Sequence, residues 1–123
     1  TFRLVQRFEG NDLLQIKQYL IAAGIDAKHS NEDQIARFPE WVRRYGDRIG
    51  NFGGIDTDAV CRLSEAEMRE YISDVVSQCR GHGGFAFGSG NSIPDYVPVE
   101  GYRTMVRILR ELRGDDLRGA KYL

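Results

Sequence analysis

The sequence predicts an α/β fold with parallel strands, and three observations predict it. Short apolar runs alternate with stretches in which apolar residues recur every three or four positions, the pattern of strands alternating with helices. Each run leads directly into a polar loop. The connections are long enough to hold a helix, as right-handed crossovers between parallel strands require. On this reading the 123 residues form four successive β/α units in one domain, residues 1–123.

The first unit takes Thr1 to Val5 as its strand. Asn11 or Asp12 caps a helix with Leu13, Ile16, Leu20 and Ala23 on one face, and Gly24 stops it. In the second unit the strand runs from Ile25 to His29 and alternates apolar and polar residues. It delivers the most polar cluster in the chain, His29-Ser30-Asn31-Glu32-Asp33-Gln34. The helix that follows carries Ile35, Phe38, Trp41, Val42 and Tyr45 as a buried stripe, with Pro39 placing its start later than the stripe alone suggests and Gly46-Asp47 closing it.

The third strand spans Arg48 to Ile55, and Gly53-Gly54 allows close backbone approach at its end. Asp56-Thr57-Asp58 follows as a loop. Ser64 and Glu67 form a capping box that opens a helix with Met68, Ile72, Val75 and Cys79 on a shared face. Arg80 to Gly83 turns the chain into the fourth strand, Gly84 to Gly88, and Ser89-Gly90-Asn91-Ser92 forms the loop beyond it. A last helix starts near Pro98 and directs Tyr102, Met105, Val106, Leu109 and Leu112 inward. The tail from Gly114 to Leu123 carries little pattern.

The totals narrow the possibilities. Seventeen basic residues balance 18 acidic ones, so no global field points to nucleic acid or to an anionic membrane surface. Cys61 and Cys79 are the only cysteines, too few for a disulfide framework, and are expected as free thiols in a reducing, cytoplasmic setting. No run approaches the roughly 18 apolar residues of a membrane span. The chain opens on Thr1 rather than on methionine, as a piece of a longer protein would.

In folds of this class chemistry gathers where strands end. That position singles out His29 and Asp56 as candidate catalytic groups, the histidine beside Glu32 and Asp33, whose carboxylates pull its titration into a useful range. Asn31, Glu32, Asp58, Ser89 and Asn91 are the candidate substrate-binding residues, and the glycines around Asn91 leave room for close approach. His82 falls at a strand start and is expected at the surface, as are Arg43-Arg44 and Arg107, Arg110 and Arg113. Phe38, Trp41, Tyr45, Phe85 and Phe87 are expected in the core.

Several of these motifs occur in a familiar order. Gly53-Gly54-Ile55-Asp56-Thr57, the capped glutamate-rich helix, Gly83-Gly84-Phe85, Ser92-Ile93-Pro94-Asp95 and Pro98-Val99-Glu100 together resemble the C-terminal part of the uroporphyrinogen decarboxylase superfamily. That superfamily includes the haem-pathway decarboxylase and zinc-dependent methyltransferases acting with corrinoid proteins or coenzyme M. The resemblance covers residues 25–112 and implies that the four units are the C-terminal half of an eight-stranded β/α barrel, which as a whole needs about 250 residues. It implies removal of a carboxyl group from a tetrapyrrole-type small molecule, or alternatively methyl transfer. No cofactor is expected for the first, whereas zinc or a corrinoid belongs to the second. Where the decarboxylases carry a histidine and the methyltransferases a cysteine in the last loop, this chain has Asn91, and Val5-Gln6-Arg7-Phe8 stands where the methyltransferases have His-x-Cys. A half-barrel has two open sheet edges, so self-association, or pairing with an N-terminal half, is expected, with the fragment inactive alone.

Overall fold

The computed structural model describes residues 10–29, 31 and 33–121. Within them the chain is a mixed α/β structure. Its elements are α1 (Gly10–Ala22), β1 (Ala27–Lys28), α2 (Phe38–Tyr45), β2 (Gly50–Ile55), α3 (Thr57–Arg62), α4 (Glu65–Cys79), β3 (Phe85–Ser89) and α5 (Val99–Arg113). The predicted strand Thr1 to Val5 lies outside the described residues. The three strands are parallel and lie in the order β1-β2-β3, so strands adjacent in sequence are adjacent in the sheet.

The boundaries differ from the sequence reading in four places, each for a local reason. The strand expected over Ile25 to His29 pairs only at Ala27 and Lys28. Beyond that point the side chain of Asn31 takes over from the backbone, its amide donating to the Phe52 carbonyl at 2.9 Å. β2 begins at Gly50 rather than Arg48, because the Arg48 and Ile49 amides both bond the Tyr45 carbonyl at 3.0 Å and finish the turn after α2. β3 is displaced one residue from Gly84–Gly88 to Phe85–Ser89. Residues 57–62, read as loop, form α3: the Asp56 carboxylate caps it by accepting the Asp58 amide at 2.8 Å. Six residues are too few to show a helical period.

The helices pack where their apolar stripes predict. Phe38, Trp41, Val42 and Tyr45 of α2 join Ile55 of β2, Met68, Ile72, Val75 and Cys79 of α4, and Met105 and Ile108 of α5 in one buried core. α4 starts on the predicted capping box, with Ser64 Oγ accepting the Glu67 amide at 3.3 Å and Glu67 Oε2 accepting the Ser64 amide at 2.9 Å. Pro39 occupies the first turn of α2, where its missing N–H costs nothing. The opposite face of the sheet is more open: Phe52 is 45% exposed and Ala86 is exposed.

α1 departs furthest from expectation. Leu20 and Ala23 of the predicted stripe are exposed, and the buried residue of α1 is Lys17, 1% exposed. Its ammonium lies 4.3 Å from the centre of the Trp41 ring and donates to Asn31 Oδ1 at 3.2 Å and to Asn51 Oδ1. Polar acceptors and two aromatic faces thus replace the apolar contact the periodicity pointed to. Burial, reinforced by the nearby charge of Lys28, pulls the Lys17 pKa from the ordinary 10.5 down to about 7.

β2 depends on a glycine for its contact with α2. Gly54 sits at φ +103°, and a Cβ there would lie 2.7 Å from the Phe38 ring.

Two outcomes follow from these contacts. Between the folded value of about 7 and the unfolded value of 10.5, the unfolded chain holds a proton on Lys17 that the folded chain has released. Stability measured by urea unfolding should therefore rise with pH across that window, by at most about 4 kcal/mol, and be lowest at and below its acid end. Lys17→Met should flatten the rise. Gly54→Ala should cost about 3 kcal/mol or more, since left-handed backbone strain adds to the clash with Phe38. The control Gly81→Ala, also at positive φ but with open space around it, should cost only about 1–2 kcal/mol.

Candidate functional site

The C-terminal ends of the strands converge on a polar pocket of about 410 Å3. β2 delivers Asp56, α3 contributes Thr57 and Asp58, and the loop after β3 contributes Asn91, with Gln34 and Tyr96 completing the rim. Three of the residues singled out in the sequence, Asp56, Asp58 and Asn91, are thus brought together.

Asp56 is held from two sides. Its carboxylate accepts the Asp58 amide, and its own amide donates to the Tyr71 hydroxyl at 3.0 Å. The Tyr71 hydroxyl in turn donates to Asp33 Oδ2 at 2.8 Å, so one side chain from α4 joins the loop after β1 to the end of β2. Burial raises the Asp33 pKa, the Tyr71 hydrogen bond opposes that shift, and the charge of Asp56 adds to it. Burial likewise raises the Tyr71 phenol above its ordinary value. The Asp58 carboxyl is held low by its hydrogen bond to Arg62, which also forms an ion pair at 2.6 Å. Thr57 Oγ1 is buried and has no hydrogen-bond partner among the described residues.

The other predicted residues fall around this pocket. His29 is exposed, with Nε2 3.0 Å from the Ser89 carbonyl, so the end of β1 reaches across to the end of β3. The Ser89 hydroxyl is engaged locally, donating to the Asn91 carbonyl at 2.7 Å, and Asn91 Oδ1 accepts the Ser92 amide at 2.8 Å. Asn31 is buried, with its side chain engaged by Lys17 and the Phe52 carbonyl instead of the pocket. Glu32 lies outside the described residues. Both cysteines are free thiols, and burial pushes Cys79 up to about 11. His82 is exposed.

Tyr71 was not singled out by sequence. The available signal was an aromatic residue with a polar tip beside the buried positions Met68, Ile72 and Val75, since a partly buried tyrosine hydroxyl normally finds a partner. The zinc site of the methyltransferases does not fit the residues present. The pocket wall offers an amide at Asn91, a poor zinc ligand beside thiolate or imidazole, and among the described residues no three His, Cys, Asp or Glu side chains are grouped to hold a metal.

Tyr71→Phe tests the bridge. Removing the hydroxyl should raise the Asp33 pKa further, as read by carboxyl-carbon NMR titration, and should lower stability by about 1–2 kcal/mol, because the Asp56 amide loses its acceptor. An unchanged Asp33 titration would show that the hydroxyl does not control this carboxylate.

No protein-family model, no curated protein sequence and no solved structure matches this chain, so its functional reading rests on its own residues and geometry.

Proposed function

We propose that the chain supplies the C-terminal β/α units of a uroporphyrinogen-decarboxylase-like barrel, and that its strand-end pocket takes a pyrrole-type N–H donor. The observation that carries this reading is the placement of Asp56, Asp58 and Asn91 around one pocket at the C-terminal ends of consecutively ordered parallel strands. A doubly wound sheet would reverse its strand order at the binding crevice.

The pocket's chemistry suits such a ligand. Its ionisable lining residues are the two aspartates, one of them already paired with Arg62, so it favours a hydrogen-bond donor over another carboxylate. At about 410 Å3 it accommodates one heterocycle with a substituent, leaving the rest of a tetrapyrrole beyond the rim. Asp56 accepts the ring N–H. When a carboxyl group leaves as carbon dioxide, the carbon it departs from takes up a proton. His29, held on the Ser89 carbonyl, is the strand-end group suited to deliver it near neutral pH. The isolated chain binds without turnover, because a barrel site draws on loops from all its strands.

The test is an NMR titration of the labelled chain with the monopyrrole porphobilinogen at millimolar concentration, alongside a uroporphyrinogen decarboxylation assay. Amide shifts should centre on Asp56, Thr57, Gly90 and Asn91, Asp56→Asn should weaken binding about tenfold, and no decarboxylated product should form. Shifts scattered away from the pocket, or none, would overturn the assignment of the ligand. Turnover by the chain alone would overturn the half-barrel reading.

A further inference from the structure

A second cavity lies on the other side of β3, away from the polar pocket. It is a groove of about 680 Å3 between β3 and α5, lined largely by apolar side chains that include Phe85, Phe87, Val76 and Leu109. We propose that this groove, with the open edge of β3, seats a second copy of the chain, related by a two-fold axis that sets β3 and α5 antiparallel to their counterparts. The proposal is independent of the pocket reading.

α5 carries more apolar surface than one neighbour requires. Met105 and Ile108 are buried in the core. A second stripe, Val99, Tyr102, Val106 and Leu109, repeats at intervals of three and four, and its first two members are 71% and 40% exposed. One stripe suffices for a helix lying on a core. A second, spaced in this way, suits a helix partner crossing at about 20°.

The strand beside it is also unpaired on one side. Asn51 N–H bonds the Gly84 carbonyl and Gly90 N–H bonds the Ile55 carbonyl. In a parallel ladder that phase turns the backbone groups of Ala86 and Gly88 toward β2 and those of Phe85 and Phe87 outward. No described strand lies beyond β3.

Charge selects both the partner and its direction. α5 has Glu100 in its first turn and Arg110 and Arg113 in its last. Antiparallel pairing with a second α5 places Glu100 of each copy opposite Arg113 of the other and opposes the helix dipoles, whereas parallel pairing sets like charge against like. The present partners, Arg103 for Glu100 and Asp115 for Arg113, are contacts of largely exposed side chains and compete weakly.

Light scattering and sedimentation velocity at tens of micromolar should give twice the 14.0 kDa chain mass. Leu109→Asp, with helix content checked by circular dichroism, should raise the dimer dissociation constant at least about a hundredfold. If that variant does not fold, two surface variants carry the test. Glu100→Arg and Arg113→Glu should each weaken the dimer about five- to tenfold, and the two combined in one chain should restore it. Hydrogen exchange at the Phe85 and Phe87 amides should slow as concentration rises. A monomer at every concentration overturns the proposal, and so does a dimer that neither charge reversal weakens. Because Asp56 takes no part in the interface, failure here leaves the porphobilinogen titration unaffected, and failure of that titration leaves the dimer intact.

Discussion

The contact on which the rest of the structure depends is that of Phe38 with Gly54. β2 is the only described strand with a neighbour on both sides, and its C-terminal end is where Asp56 leaves the sheet. For α2 to seal that end, its first aromatic ring must lie almost on the backbone, which a side chain at position 54 would prevent. Phe38 then meets Phe87 of β3 at 5.8 Å between ring centres, so one ring serves two strands. Displacing it would move the strand end, the cap of α3 and the pocket wall together.

Two polar ties work beside this apolar contact, at opposite ends of the sheet. Lys17, Asn31 and Asn51 join α1 to β2 near the start of the strand, while Tyr71, Asp33 and Asp56 join α4 to the strand's end. Both draw on the segment just after β1, which explains why so short a strand is followed by so polar a sequence. The side chains of this segment do work that backbone pairing does elsewhere. The two ties differ in electrostatic character. Lys17 is buried against neutral acceptors and aromatic faces and is driven toward its uncharged form, whereas Asp33 keeps a hydrogen-bond donor that moderates the cost of its burial.

The polar pocket and the apolar groove are consequences of one arrangement. Parallel strands send their polar loops to one end and leave a lateral edge open at β3, so a binding site and an association surface arise on different sides of the same strand. Asn91 begins the loop after β3 on the pocket side, while Phe85 and Phe87 face the groove earlier in the same stretch. Occupation of one therefore need not obstruct the other.

The sequence by itself determined the α/β class, the parallel order of strand, loop and helix, the capping box at Ser64, the aromatic core, and the gathering of Asp56, Asp58 and Asn91 at the strand ends. These follow from local period, capping chemistry and the rule that parallel crossovers put successive loops at one end. Only the tertiary structure decided that Lys17 rather than Leu20 is the buried residue of α1, that Asn31 turns into the core, that residues 57–62 form a helix, and that Tyr71 bridges Asp33 and Asp56. Each of those outcomes depends on a partner 14 or more residues away, or on a helix too short to show its period, and local patterning holds no record of either.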